Sequence, residues 1–320
     1  MKILGTGSYL PEGILSNNDL QELVDTNDEW IVSRTGIRNR HIAKDENTSD
    51  LATKAARIAL ESAGIQLEEI ELIVVATTTP DGFVPGVAHQ VLKNLQISKA
   101  MTFDINVGCT GFVYAMDVVT SLMLSHKFKY ALVIGAEVLS KMIDWSDRDT
   151  CVLFGDGAGA VVLENRQDVN HFMYAKCAAI PDVDDVLTSG KFAVNNPLMV
   201  EEQDSIYVSM KGQDVFKFAV SKVCESVNET LAETGEDAQN VDYYVLHQAN
   251  SRILDYVAKK LQIPSEKFYS NIENMGNTSA ASIPITLDVM NLGGKLKKGM
   301  KIMLAGFGAG LSYGTLLIEW

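Results

Sequence analysis

The sequence has little cysteine, and none of it is paired. Cys109, Cys151, Cys177 and Cys224 are widely scattered, with no C-x-x-C. This argues against a disulfide framework or a zinc site and fits a reducing cytoplasm. No apolar run approaches the ~18 residues that a membrane-spanning helix needs. The opening M-K-I-L-G-T-G-S-Y-L-P lacks the long apolar stretch of a secretory leader. Positive charge is also short. The 27 Lys and Arg face 41 Asp and Glu, for a net charge of −14. That balance argues against general nucleic-acid binding, and an acidic partner must find a local basic patch. What is present, 47% hydrophobic and 21% charged residues, is the composition of a folded globular chain. Its 320 residues suffice for one large domain or two ordinary ones.

Strand-like and helix-like runs alternate. L-A-T-K-A-A-R-I-A-L-E-S-A-G (51–64) has helical spacing and a glycine stop. E-L-I-V-V-A-T (71–77) and Y-A-L-V-I-G-A-E (130–137) read as buried strands. T-G-F-V-Y-A-M-D-V-V-T-S-L-M-L (110–124) reads as a buried helix, and C-V-L-F-G-D-G-A-G-A-V-V-L (151–163) as two strands about a glycine turn. The expected class is α/β with largely buried sheets. The chain also repeats itself. I-E-L-I-V-V-A-T-T-T resembles V-D-Y-Y-V-L-H-Q-A-N, and N-V-G-C-T matches N-M-G-N-T. Y-A-L-V-I-G with G-A-G-A-V-V-L is echoed by K-I-M-L-A-G with G-A-G-L-S-Y-G-T-L-L-I. The echoes keep one order at offsets of about 170 residues. We therefore expect two similar halves, 1–164 and 165–320, about a pseudo-twofold axis, with a surface insertion around 181–205.

Three residues stand out. Cys109 lies between glycines where a strand gives way to a helix, so free amides and the helix dipole could hold a thiolate of lowered pKa. The same position also suits a buried structural cysteine. His247 ends an apolar strand and opens a polar loop, where α/β sheets place ligand chemistry. The neutral ring could donate to an oxyanion or simply be a core histidine. His41, His126 and His171 read as surface residues, and His89 as part of a helix start. Asn277 sits in the mirror of the cysteine loop, as an oxyanion donor or a helix cap. F-G-A-G-L-S-Y-G (307–314) lacks the third glycine of a dinucleotide loop, because Tyr313 stands there. It reads instead as a tight turn whose amides face the cysteine.

G-C-T-G-F, L-H-Q-A-N, G-N-T-S-A-A-S-I-P, D-E-W-I-x-S-R-T-G-I, L-F-G-D-G-A-G and G-F-G-A-G, in this order over essentially the whole chain, resemble the β-ketoacyl-[acyl-carrier-protein] synthase III family. The resemblance implies a thiolase-like fold with a five-layered αβαβα core. It implies an acyltransferase that condenses a short acyl-CoA primer with malonyl-acyl-carrier protein through an acyl-cysteine, initiating type II fatty acid synthesis. The catalytic set becomes Cys109, His247 and Asn277, with the backbone amides of Cys109 and Ala309 as the oxyanion hole. For the CoA site, W-I-V-S-R-T-G-I-R-N-R gathers Trp30, Arg34, Arg38 and Arg40 within eleven residues of an otherwise acidic chain. There Trp30 and Arg148 bracket the adenine, Arg34 approaches the phosphates, Thr26 and Thr35 position the nucleotide and Asn250 bonds the pantetheine arm. Lys217, Arg252, Lys259 and Lys260 dock the acidic carrier protein. The resemblance further implies a homodimer, with Val84 in place of a bulkier residue that closes the partner's acyl pocket. No metal and no cofactor beyond the substrates are implied, and no nucleic-acid or membrane partner. Gly108, Ala309 and Tyr313 depart from common family residues. A starter-condensing enzyme of secondary metabolism is the near alternative on this fold. A dinucleotide-dependent oxidoreductase or a catalytically dead carrier-protein scaffold is a more distant one.

Overall fold

A computed structural model describes residues 1–166, 171–202 and 205–320. The expected insertion at 181–205 thus includes two residues, 203 and 204, outside the described set. The first sheet is formed by β1 (Lys2–Tyr9), β2 (Ile70–Ala76), β3 (Met101–Ile105), β4 (Tyr130–Glu137) and β5 (Gly157–Glu164), in the order β1-β5-β4-β2-β3. The second contains β6 (Phe172–Ala179), β7 (Tyr243–Leu246), β8 (Lys301–Gly308) and β9 (Ser312–Glu319), in the order β6-β9-β8-β7. Both sheets run antiparallel, antiparallel, parallel from their first-listed strand. A parallel bridge from Tyr244 to Phe268 stands where β3 pairs in the first sheet.

The helices are α1 (Asp28–Thr35), α2 (Thr48–Ala63), α3 (Val87–Asn94), α4 (Gly111–His126), α5 (Gly212–Thr234), α6 (Ser251–Leu261) and α7 (Ser282–Leu292). Helices α2 and α3 cover the outer face of the first sheet, and α5 and α6 that of the second. Helices α4 and α7 lie between the sheets. Local chemistry accounts for several of these choices. Helix α2 begins in a capping box of Asn47 and Asp50 and stops at Gly64, whose φ of 66° is left-handed. Its Ala59 and Ala63 press on glycines of β1. A Cβ on Gly7 would fall 2.3 Å from the Ala59 nitrogen, and one on Gly5 2.4 Å from the Ala63 nitrogen.

Helix α4 is apolar all round because it has a sheet on each side. Val113, Met116 and Val119 join Leu287 and Met290 of α7 and Val74, Val133, Leu304 and Leu316 of the sheets in one central core. Each large side chain buried there stabilises the fold by about 1.5–3 kcal/mol. By length and composition Gly108–His126 is sufficient to cross a membrane, contrary to the sequence reading. Here that apolarity is used between two sheets. Residues 151–163 also differ from expectation. They end the short helix Arg148–Cys151, pass through a loop and form β5 alone. His171, read as a surface residue, is buried at the start of β6, with Nδ1 3.6 Å from Glu319.

Candidate active site

The parallel strands of both sheets end on one cavity, partly open to solvent. Cys109, His247, Asn277 and Ala309 all line it. Cys109 lies in the turn between β3 and α4. Thr110 anchors that turn to β9 through a 2.9 Å bond between its Oγ1 and Ser312 Oγ. The 308–309 turn meets it backbone to backbone. A Cβ on Gly308 would lie 2.7 Å from the Cys109 nitrogen, and one on Gly108 3.0 Å from the Ala309 nitrogen. Neither the Cys109 nor the Ala309 N–H has a backbone acceptor among the described residues. Burial pushes the Cys109 thiol up to about 12, with Ser279 opposing and the field of Glu137 adding to the rise. The expected lowering of the thiol pKa is therefore overturned in the resting site: removal from water outweighs the helix terminus.

His247 follows β7 directly, and its N–H extends the ladder to Ala305 at 2.8 Å. Its ring packs edge-on against Phe307, with centroids 5.0 Å apart. Burial lowers its pKa to about 3, so it is neutral at physiological pH. Nδ1 lies 2.8 Å from Ser282 Oγ, which also accepts from the Gln248 N–H at 3.3 Å. The Ser282 proton has no other acceptor among the described residues, so we assign it to Nδ1, leaving a hydrogen on Nε2. Asn277 is clamped by its backbone. Its N–H donates to Leu153 O at 2.9 Å, and its carbonyl accepts from Gly155 N–H at 3.0 Å. Its Oδ1 accepts from Ser279 N–H at 2.9 Å. The amide Nδ2 has no partner among the described residues. Two neutral donors thus share the cavity with one thiol.

A second cavity opens beside Trp30, Arg34, Lys217 and Arg252. It shares Leu153, Met210, Gly212, Phe216 and Asn250 with the first, making one passage from the surface to Cys109. The guanidinium carbons of Arg34 and Arg148 each lie 4.9 Å from the Trp30 ring centroid. A base entering between Trp30 and Arg148 must therefore displace Arg148. The Thr26 hydroxyl is buried without a partner among the described residues. Thr35 departs from its expected role: its hydroxyl donates to Ile31 O at 2.7 Å and accepts from Ile37 N–H at 3.0 Å, so its proton is committed to the helix end. Asn250 is likewise engaged. Its Oδ1 caps α6 through Arg252 N–H and its Nδ2 donates to Arg34 O, both at 2.9 Å. Arg38 pairs with Asp28 and Glu273, and Arg40 is fully buried on Leu15 O, Asn17 and Val152 O, so neither belongs with the CoA cations.

Arg252, Lys259 and Lys260 are exposed on α6, opposite Ile253, Leu254, Val257 and Ala258. Lys217 is exposed but paired with Asp214 at 3.1 Å. Val84 is 89% exposed and lies outside its own chain's cavity. Sequence reasoning missed Thr78, Glu137, Ser279 and Ser282. Two serines lay inside a quoted motif, and Glu137 looked like the polar end of an apolar strand.

A helical layer between two sheets of matching order is the architecture of the thiolase fold, and a thiol at its centre marks the condensing class. The family model for 3-oxoacyl-[acyl-carrier-protein (ACP)] synthase III matches residues 103–180, and that of its C-terminal part matches 231–320. A β-ketoacyl-[acyl-carrier-protein] synthase III of Clostridium novyi is 49% identical, over 100% of this chain and 99% of the relative. The crystal structure of 3-oxoacyl-[acyl-carrier-protein] synthase III from Aquifex aeolicus superposes with a TM-score of 0.94 at 43% identity, covering 100% of this chain and 99% of that one. A priming β-ketosynthase of the R1128 polyketide pathway gives 0.92 at 33% identity, over 99% and 95%. The chain belongs to the β-ketoacyl-[acyl-carrier-protein] synthase III family.

Proposed function

We propose that this chain condenses a short acyl-CoA primer, acetyl-CoA or a small branched acyl-CoA, with malonyl-acyl-carrier protein, the step that initiates fatty acid synthesis. The observation that carries the reading is the convergence of Cys109, His247 and Asn277 on one cavity joined to a basic mouth. In the first half-reaction the Cys109 sulfur attacks the primer thioester. The carbonyl oxygen accepts from the Cys109 and Ala309 amides, and CoA leaves. In the second, malonyl-acyl-carrier protein loses carbon dioxide. The enolate oxygen accepts from His247 Nε2–H and Asn277 Nδ2–H, and its carbon attacks the acyl-cysteine. Neutral donors suit this step, since they stabilise the enolate without protonating the carbon that must react.

The nucleotide of CoA stacks on Trp30 after Arg148 swings aside, with Arg34 near the phosphates and the Thr26 hydroxyl in reach. Asn250 retains one amide hydrogen for the pantetheine arm. Arg252, Lys259 and Lys260, with Lys217, receive the carrier protein; local positive charge on a chain of net charge −14 makes this patch selective. The enzyme works in the cytoplasm as a homodimer, its two halves dividing near 164. The exposed Phe83 and Val84 and the edge strand β3 support that assembly. Val84 then meets the partner's acyl pocket.

The test is turnover of malonyl-carrier protein with a panel of acyl-CoA primers, together with the mass of the Cys109 peptide after primer alone. We expect 3-ketoacyl-carrier protein, best with short primers, and an acyl adduct on Cys109 that is lost in Cys109→Ser. An adduct elsewhere, or no condensation with any primer, overturns the reading.

A further inference from the structure

Arg40 is a charged side chain at 0% exposure that the scheme above leaves unused. It lies in the short strand Asn39–Ile42, paired antiparallel with Gly13–Ser16. Its acceptors are neutral oxygens from three places. Nη1 donates to Leu15 O at 3.1 Å, and Nη2 to Asn17 Oδ1 and Val152 O at 2.9 Å each. Burial lowers its pKa to about 10, so it stays charged at neutral pH. A buried cation is costly once its acceptors are lost, so the three segments are not free to part. Val152 opens the loop that grips Asn277. Leu153 O accepts from the Asn277 N–H at 2.9 Å, and the Gly155 N–H donates to the Asn277 carbonyl at 3.0 Å. The stem of Arg40 backs this grip on both sides. A Cβ on Gly155 would lie 3.2 Å from the Arg40 Cβ, and one on Gly276 3.1 Å from it. Its neighbours complete the attachment: the Asp156 N–H donates to His41 O at 2.8 Å, and the Arg38 N–H to Glu273 O at 2.7 Å. Leu153, Phe154 and Asn277 all line the cavity.

We propose that Arg40 is a positioning residue for the enolate donor: its guanidinium and stem fix the 152–155 loop, and that loop fixes where Asn277 stands in the cavity. The inference rests on the reading of Asn277 as an enolate donor. The other two members of the site are held by different means. The Thr110–Ser312 bond anchors the Cys109 turn, and Ala305 and Ser282 hold His247. None of those bonds involves residues 152–155. Arg40 therefore bears on one half-reaction and not on the other. Primer transfer uses the Cys109 sulfur and the amides of Cys109 and Ala309, whereas decarboxylation uses Asn277. A catalytic group misplaced by about 1 Å costs roughly a hundredfold in rate. Charge alone does not replace Arg40. Lysine carries a compact ammonium on a flexible stem and lacks the planar fork that spans Leu15, Asn17 and Val152.

The test measures the two half-reactions separately at saturating substrate, as CoA release from the primer and carbon dioxide release from malonyl-carrier protein. In Arg40→Lys we expect carbon dioxide release to fall by about tenfold to a hundredfold, with CoA release kept within about threefold of wild type. Gly155→Ala disturbs the same loop with Arg40 intact, since its Cβ would fall 2.6 Å from Met275 O. It should show the same split, and it carries the test if Arg40→Lys does not fold. The double variant Arg40→Lys with Asn277→Ala should release carbon dioxide no more slowly than Asn277→Ala alone, because Arg40 acts through that side chain. A parallel fall of both half-reactions in either variant overturns the proposal, as a merely structural role predicts. So does a double variant in which the two losses multiply. Unchanged carbon dioxide release in Asn277→Ala alone overturns the donor reading itself, and the proposal with it.

Discussion

The floor and the mouth of the passage are built on opposite plans. The floor uses short side chains, buried and locked from behind: Asn277 by Leu153 and Gly155, His247 by Ser282, Cys109 by the Thr110–Ser312 anchor. The mouth uses long, exposed side chains such as Arg34 and Arg252 that hold little of one another. Rigid neutral donors suit a charge that develops at one fixed point, where reorganisation would raise the barrier. Mobile cations suit partners that arrive, stack and leave. The difference teaches that substitutions at the floor should act on rate and those at the mouth on substrate affinity.

The sharpest way to break that contrast is at Cys109 and Asn277. Cys109→Ser should abolish primer transfer. Asn277→Ala should keep transfer while lowering malonyl decarboxylation by about 10²–10³, read as carbon dioxide release against CoA release. Ser282→Ala frees His247 to change tautomer. It should lower condensation by roughly tenfold to a hundredfold with the KM for primer unchanged. At the mouth, Lys260→Glu should raise the KM for malonyl-carrier protein by about tenfold and leave primer transfer intact. The gap should narrow as salt is raised. Equal loss of both half-reactions would refute the docking assignment.

The smallest effect is on stability. His247 binds its proton at about 3 in the fold and near the ordinary 6.5 when unfolded. The unfolded chain therefore takes up more protons between those values. The contribution of His247 is full above 6.5 and is lost as pH falls toward 3. His247→Gln should show a shallower fall of Tm with acid than the wild type, with little difference near neutrality.

Cys109, His247 and Asn277 were legible because each carries a local mark: a glycine junction, a strand end, a mirrored loop. Helix α2 was legible from spacing and its glycine stop. The place of Arg40 was not legible, because its burial on Leu15, Asn17 and Val152 depends on segments far away in the chain. The same holds for the hydrogen bonds of Thr35 and Asn250, which join helix ends to neighbours that spacing alone does not reveal and which leave Asn250 one amide hydrogen. Gly108–His126 shows the converse: its apolarity was plain, but not that sheets on both sides account for it.

By itself the chain's order of residues determined which strands and helices form, that they recur, and which thiol, imidazole and carboxamide stand out as candidates, since periodicity, caps and glycine junctions are local. Only the folded molecule decided the protonation of those groups and the serine that orients the imidazole. Those properties depend on exclusion of water and on contacts between separate segments, 35 positions apart for His247 and Ser282 and 202 for Thr110 and Ser312, which no local pattern encodes.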